Sequence, residues 1–145
     1  MSATRIAAAK AAAAHAHAPY SKFGVGTALL LADGSVVTGC NFENASYGLT
    51  LCAETVALGT LNALGKLDKV REVAVIGGTL TGGAIAGDAI CFPCGRCRQV
   101  LNEAAQMAHT DLLIHCASAD GLQVRTLKLS ELLPHPFGPA DLGLA

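Results

Sequence analysis

The chain has 145 residues, 52% hydrophobic and only 14% charged, with a formal net charge of -1. That length suits one domain around one core, and the charge balance excludes the basic stripe that a DNA or RNA backbone demands. So few charges cover a monomer's surface poorly, which points to copies of the chain burying apolar area against one another.

Residues 4–18 form an alanine-rich run that predicts a helix stopped by Pro19. Its early Arg5 and Lys10 give it a superficial likeness to a signal peptide. Lys10, His15 and His17 interrupt it, however, and Leu and Val are scarce. Val25 to Leu31 and Val36 to Asn41 are short apolar runs, and Asp33-Gly34 between them signals a hairpin. A loop carrying Asn41, Glu43, Asn44 and Tyr47 leads to a second helix, from near Cys52 to about Leu64, stopped by Gly65. This helix is apolar nearly all round, which predicts a central, buried position. Val70 to Ile76 reads as a strand buried on both faces.

Gly77 to Gly87 reads as a glycine-rich loop, whose Gly-Gly pairs lack the Lys and Ser/Thr of a phosphate-binding loop. A third helix starts near Cys94. It places Cys97, Val100, Leu101, Ala104 and Ala108 on one face and Arg98, Asn102 and Gln106 elsewhere. Leu112 to Cys116 and Gln123 to Leu127 are further strands, and Leu129 to Leu133 is a short helix before Pro134. The tail through Pro136, Phe137 and Pro139 is expected to be extended. The order α-β-β-α-β-α-β-β-α predicts an α/β fold, a three-layer α-β-α sandwich with a mixed five-stranded sheet. No linker or repeat divides residues 1–145, and no stretch is long and apolar enough to cross a membrane.

Chemistry concentrates in two segments, Cys52-Ala53-Glu54 and Pro93-Cys94-Gly95-Arg96-Cys97. Three thiolates and a carboxylate suit a catalytic zinc site, in which three protein ligands leave the fourth position open to water. Residues two apart on a helix point about 200° from each other, so Cys52 and Glu54 converge only if they stand at a helix's first turn. Cys94 and Cys97, three apart, share a face. Two helix N-termini then meet at the metal, where their positive ends favour thiolates. Glu54 is expected to carry protons and not to ligate.

The Cys-Gly-x-Cys segment alone fits a dithiol redox or structural zinc module equally well. Glu54 discriminates, because a structural zinc has no use for it. Cys40, Cys91 and Cys116 are expected in core or loop positions. Thiols held in metal spacing imply a reducing, cytoplasmic compartment. None of the five histidines has paired metal spacing except His15 and His17, which read as surface residues.

The two segments match the signature of zinc nucleobase deaminases. The whole chain resembles the small, homotetrameric cytidine deaminases. The resemblance rests on Pro19-Tyr20-Ser21-Lys22-Phe23, on Asn41-Phe42-Glu43-Asn44-Ala45-Ser46-Tyr47-Gly48, on both zinc segments, and on Leu132-Leu133-Pro134 followed by Phe137. It implies one Zn²⁺ per chain on Cys52, Cys94 and Cys97, with Glu54 as proton carrier. It also implies hydrolysis of cytidine and deoxycytidine to uridine and deoxyuridine, in pyrimidine salvage. Asn41 and Glu43 are then expected to bind the ribose 3′-hydroxyl, Phe23 to flank sugar and base, and the Ala53 backbone to bind the cytosine edge. Ala45 and Tyr47 would reach the 5′-hydroxyl, and Phe137 would stack on the base, each from a neighbouring subunit. A blasticidin-type deaminase fits Asn41-x-Glu43 less well, and a polynucleotide deaminase lacks its basic and aromatic interleaving. Two positions depart from the family pattern: Thr55 stands where Arg often follows the Glu, and Phe92 where Ser often precedes the Pro. Arg96 and Arg98 are the candidates to offset the thiolate charge in place of that Arg.

Overall fold

A computed structural model describes residues 2–145. Its elements are α1 (Ser2–Ala13), β1 (Phe23–Leu31), β2 (Val36–Cys40), α2 (Ala53–Ala63), β3 (Val70–Thr81), β4 (Ala84–Ala86), α3 (Gly95–Met107), β5 (Leu113–Ser118), β6 (Val124–Lys128) and α4 (Leu129–Leu132). The sheet runs β2-β1-β3-β5-β6, and β4 pairs with β3 off this path. Only β3 and β5 are parallel, joined by the α3 crossover; the other pairings are antiparallel. The sheet is therefore mixed, as expected, but has six strands.

The sixth strand corrects the reading of residues 77–87 as a loop. β3 continues to Thr81 and turns back through Gly82 and Gly83 into β4. Gly77 and Gly78 lie in the buried part of β3. A Cβ on Gly77 would stand 2.8 Å from Cys91 Sγ, and one on Gly78 would stand 2.4 Å from the Ala86 carbonyl oxygen. These glycines mark close approach within a sheet, which composition alone does not separate from flexibility.

Side-chain alternation along the central strands sends residues to two cores. Leu29, Val73, Val75, Ile114 and Cys116 meet Ala57, Leu58 and Leu61 of α2 and Leu101, Ala104 and Ala105 of α3. Ala28, Ala74, Ile76 and Ala117 meet Ile6, Ala9 and Ala13 of α1 on the opposite face. The α1 side is built from small residues, so helix and sheet approach closely. A polar chain crosses this side: Glu72 accepts from Arg5 at 2.8 Å and meets the buried His115 through Nε2 at 2.8 Å, while His115 Nδ1 meets Thr126 Oγ1.

Two helix faces differ from expectation. Only the inner face of α2 is covered; Gly59, Thr60, Asn62 and Ala63 are exposed in the single chain. On α3, Asn102 is buried, because its amide donates to the Phe137 carbonyl at 3.2 Å. Among the described residues, no helix is long and apolar enough to cross a membrane.

Candidate metal centre and substrate cleft

The two chemical segments lie at helix starts. Cys52 is the N-cap of α2 and Cys94 the N-cap of α3, and Cys94 Sγ accepts from the Cys97 backbone N–H at 3.4 Å. Three contacts aim these starts at each other. Phe42 and Leu51 exchange backbone hydrogen bonds at 2.9 Å, closing the loop before Cys52. The Cys91 N–H donates to the Ala117 carbonyl at 3.1 Å, pinning the segment before Cys94 to the end of β5. Beneath α2, Gly39 of β2 lets the helix settle onto the sheet: a Cβ there would lie 2.7 Å from both the Ala53 oxygen and the Ala57 nitrogen.

The sulfur atoms of Cys52, Cys94 and Cys97 lie within 4.8 Å of one another, the last two 3.4 Å apart. Thiolates on a tetrahedral Zn²⁺, each about 2.3 Å from the metal, stand roughly 3.8 Å apart. The donor set and its spacing therefore fit one zinc ion. The neighbouring Cys97 thiol holds the Cys52 pKa down at about 6, while its own is pushed up. Desolvation pushes the Cys91 thiol up to about 12 and the Cys116 thiol up to about 11, so both stay protonated near neutrality.

Glu54 is 3% exposed. Burial pushes its carboxyl above the ordinary value of 4.5, against weaker hydrogen-bonding influences from its own backbone, Cys97 and Thr27. A buried carboxyl with a raised pKa is suited both to accept and to donate a proton. Its cleft, about 250 Å³, is lined by Phe23, Val25 and Asn41 on one side and by the three cysteines, Ala53 and Phe92 on the other.

Asn41 is clamped to β1. Its Oδ1 accepts from the Val25 N–H and its Nδ2 donates to the Phe23 carbonyl, both at 2.9 Å. One amide hydrogen and one lone pair remain for a ligand. Glu43 accepts from the backbone N–H groups of Tyr20 and Ser21 and from the Ser21 hydroxyl. Burial alone would raise its pKa; these bonds outweigh that and hold it below 4.5. Glu43 opens onto a second cleft with Tyr20 and Tyr47, which adjoins the first at Thr50.

The remaining predicted residues stand apart. Ala45 is exposed, Tyr47 is 74% exposed, and Phe137 is 63% exposed with its carbonyl held by Gln99 and Asn102. Neither Ala45 nor Phe137 lines either cleft. Two residues that sequence reasoning passed over stand at the site: Cys91 in the cleft wall, and Thr27, buried one step along the β1 face that carries Phe23 and Val25. No motif flags them, because a buried Cys and a strand Thr are ordinary core residues.

The profile of the cytidine and deoxycytidylate deaminase zinc-binding region matches residues 2–110, a span that holds all three cysteines and Glu54. The chain belongs to this family. It is 45% identical over 131 residues to the cytidine deaminase of Mycobacterium tuberculosis, covering 90% of this chain and 85% of that one. The cytidine deaminase of Halalkalibacterium halodurans is 41% identical over 127 residues, covering 88% and 86%. The crystal structure of the Burkholderia pseudomallei cytidine deaminase superposes with a TM-score of 0.79 at 40% identity, over 93% of this chain and 98% of that one.

In this deaminase the two arginines near the metal centre take different tasks. Arg98 donates to the Pro93 and Leu132 carbonyls, at 2.8 and 3.0 Å, and so braces the segment before Cys94. Arg96 reaches the Thr50 carbonyl at 3.3 Å, and its charge helps to lower the Cys52 pKa. Thr55 itself points away, toward a recess shared with His15, His17 and Cys40.

Proposed function

We propose that this deaminase hydrolyses cytidine and 2′-deoxycytidine to uridine and 2′-deoxyuridine, releasing ammonia. The observation that carries this reading is the placement of a buried carboxyl, Glu54, in the same cleft as three convergent thiols. Cys52, Cys94 and Cys97 hold one Zn²⁺, which supplies an acidified water at the cleft floor when bound.

The rest is the work of the chain. Glu54 takes a proton from the attacking water and delivers it to N3, the ring nitrogen beside C4. The water oxygen adds to C4. Glu54 then takes the second proton from the new C4 hydroxyl and delivers it to the amine, the C4–N bond breaks and ammonia leaves. One water is consumed, one ammonia is formed, and the carboxylate is regenerated. Phe23 flanks the ring and sugar, the Ala53 backbone meets the cytosine edge, and Asn41 and Glu43 take the ribose 3′-hydroxyl. The ionised Glu43 beside the sugar repels a phosphate, which favours a nucleoside over a nucleotide.

The whole chain, residues 1–145, acts as one catalytic domain of a cytoplasmic homotetramer serving pyrimidine salvage. Ala45, Tyr47 and Phe137 complete a neighbour's site, which accounts for their exposure in the single chain. The test is a cytidine assay on zinc-loaded protein. Turnover that vanishes in Glu54→Gln with zinc retained supports the reading; an equally active Glu54→Gln overturns it.

A further inference from the structure

Thr27 sits in the middle of β1 with no exposed surface, and its hydroxyl has no hydrogen-bond partner within 3.5 Å. An unpartnered buried hydroxyl costs about 1–3 kcal/mol, so its setting calls for a reason. Alternation along β1 places Phe23, Val25 and Thr27 on one face of the sheet. The first two line the cleft and Thr27 does not, so it lies one step deeper. Its cross-strand partners are Gly39 on β2 and Val75 on β3. The first turn of α2 rests on that same Gly39, through Ala53 and Ala57. This stacking seats Glu54, the residue after Ala53 and a neighbour of Phe23 and Val25 in the cleft lining, against the face of β1 that carries Thr27.

We propose that Thr27 is a positioning residue for Glu54. Its hydroxyl turns toward the carboxyl as protons move, and so holds Glu54 in the orientation that reaches both the water and the ring nitrogen. In the resting chain the hydroxyl is unpaired. The carboxyl must serve two proton acceptors in turn, and a side chain free to rotate between them loses alignment at each step. Thr27 touches neither substrate nor metal. Its contribution belongs to the transition state and not to ground-state binding, so it acts on kcat and not on KM.

This inference rests on the deaminase reading above. Its test compares Thr27→Val, which keeps the shape and removes the hydroxyl, with Thr27→Ser, which keeps the hydroxyl. Zinc content, Tm and cytidine kinetics are measured on each, beside wild type and Glu54→Gln. The expected result for Thr27→Val is a fall in kcat of about tenfold, with KM within twofold, one zinc per chain, and Tm equal or higher. Thr27→Ser recovers most of the lost kcat. Binding of a cytidine analogue with a tetrahedral, hydroxylated C4 weakens in Thr27→Val by the same factor as kcat, while uridine binding is unchanged. If Thr27→Val keeps wild-type kcat, or changes KM alone, the inference is wrong and Thr27 is only a core residue. A wild-type protein inactive on cytidine instead defeats the deaminase reading. Should valine crowd α2 and unfold the chain, Thr27→Ala against Thr27→Ser makes the same comparison.

Discussion

The floor of the cleft and its rim are built on opposite plans. The floor is finished within one chain: two helix N-caps, a buried Glu54 and a clamped Asn41 are held by backbone contacts from β1, β2 and β5. The rim, on the proposed reading, is left to a neighbour: Tyr47 and Phe137 are large aromatic side chains left in solvent in the single chain, as is Leu49. Bond-making groups need fixed geometry to within about 0.5 Å, which only a packed scaffold supplies. Groups that cover a substrate can come from a partner, provided the assembly is stable. The low charge content and the exposed outer face of α2 are in keeping with the proposed association of copies.

The largest effect should come from the floor. Glu54→Gln keeps the shape and the metal and loses the proton carrier, so kcat should fall by about 10²–10⁴-fold; zinc analysis beside steady-state kinetics checks it. The rim should matter through binding. If Phe137 stacks on the base as proposed, Phe137→Ala removes about 1–3 kcal/mol of binding, so KM should rise roughly 5- to 150-fold. A mixing experiment sharpens the contrast. If Phe137 serves a neighbour's site, Glu54→Gln and Phe137→Ala subunits reassembled together should form sites with an intact floor and an intact rim, and activity should exceed that of either variant. Activity equal to the mean of the two would place Phe137 in its own chain's site.

Smaller changes probe how the floor is seated. Gly39→Ala forces a Cβ against Ala53 and Ala57, so it should cost about 1–3 kcal/mol of stability and lower zinc retention, read by thermal denaturation and metal analysis. The smallest effect is pH-dependent. Glu43 has a folded pKa below its ordinary 4.5, so its stabilising contribution is present above that value and is lost as pH falls through the lower, folded one. Wild type should therefore exceed Glu43→Gln in Tm near neutrality, and the two should converge in acid. A gap that persists unchanged in acid would show that the hydrogen bonds from Ser21 and Tyr20 do not depend on the charge.

The elements with a strong local signal were legible before any coordinates. Asp33-Gly34 lies between β1 and β2, and Cys52 and Cys94 stand at helix starts, as the two-residue and three-residue spacings require. The run Gly77–Gly87 was not legible. A glycine needed for close approach and a glycine needed for a turn look alike until their neighbours are known, and here Gly77 and Gly78 are the first kind. Asn102 shows the same limit: helical periodicity places it off the apolar face, yet the returning tail covers it and uses its amide.

By itself the sequence determined the chemistry: which three sulfurs and which carboxylate work together, and that they sit at helix starts. Ligand type, helical period and capping preference act over a few residues, so they are written locally. Only the tertiary structure decided what depends on contacts between distant segments. It set Thr27 beside Gly39, on which α2 rests, gave Arg98 to the Pro93 carbonyl and not to the cysteines, and left Phe137 outside the cleft of its own chain. Each of these follows from strand register and helix seating, which bring together residues that no spacing along the chain relates.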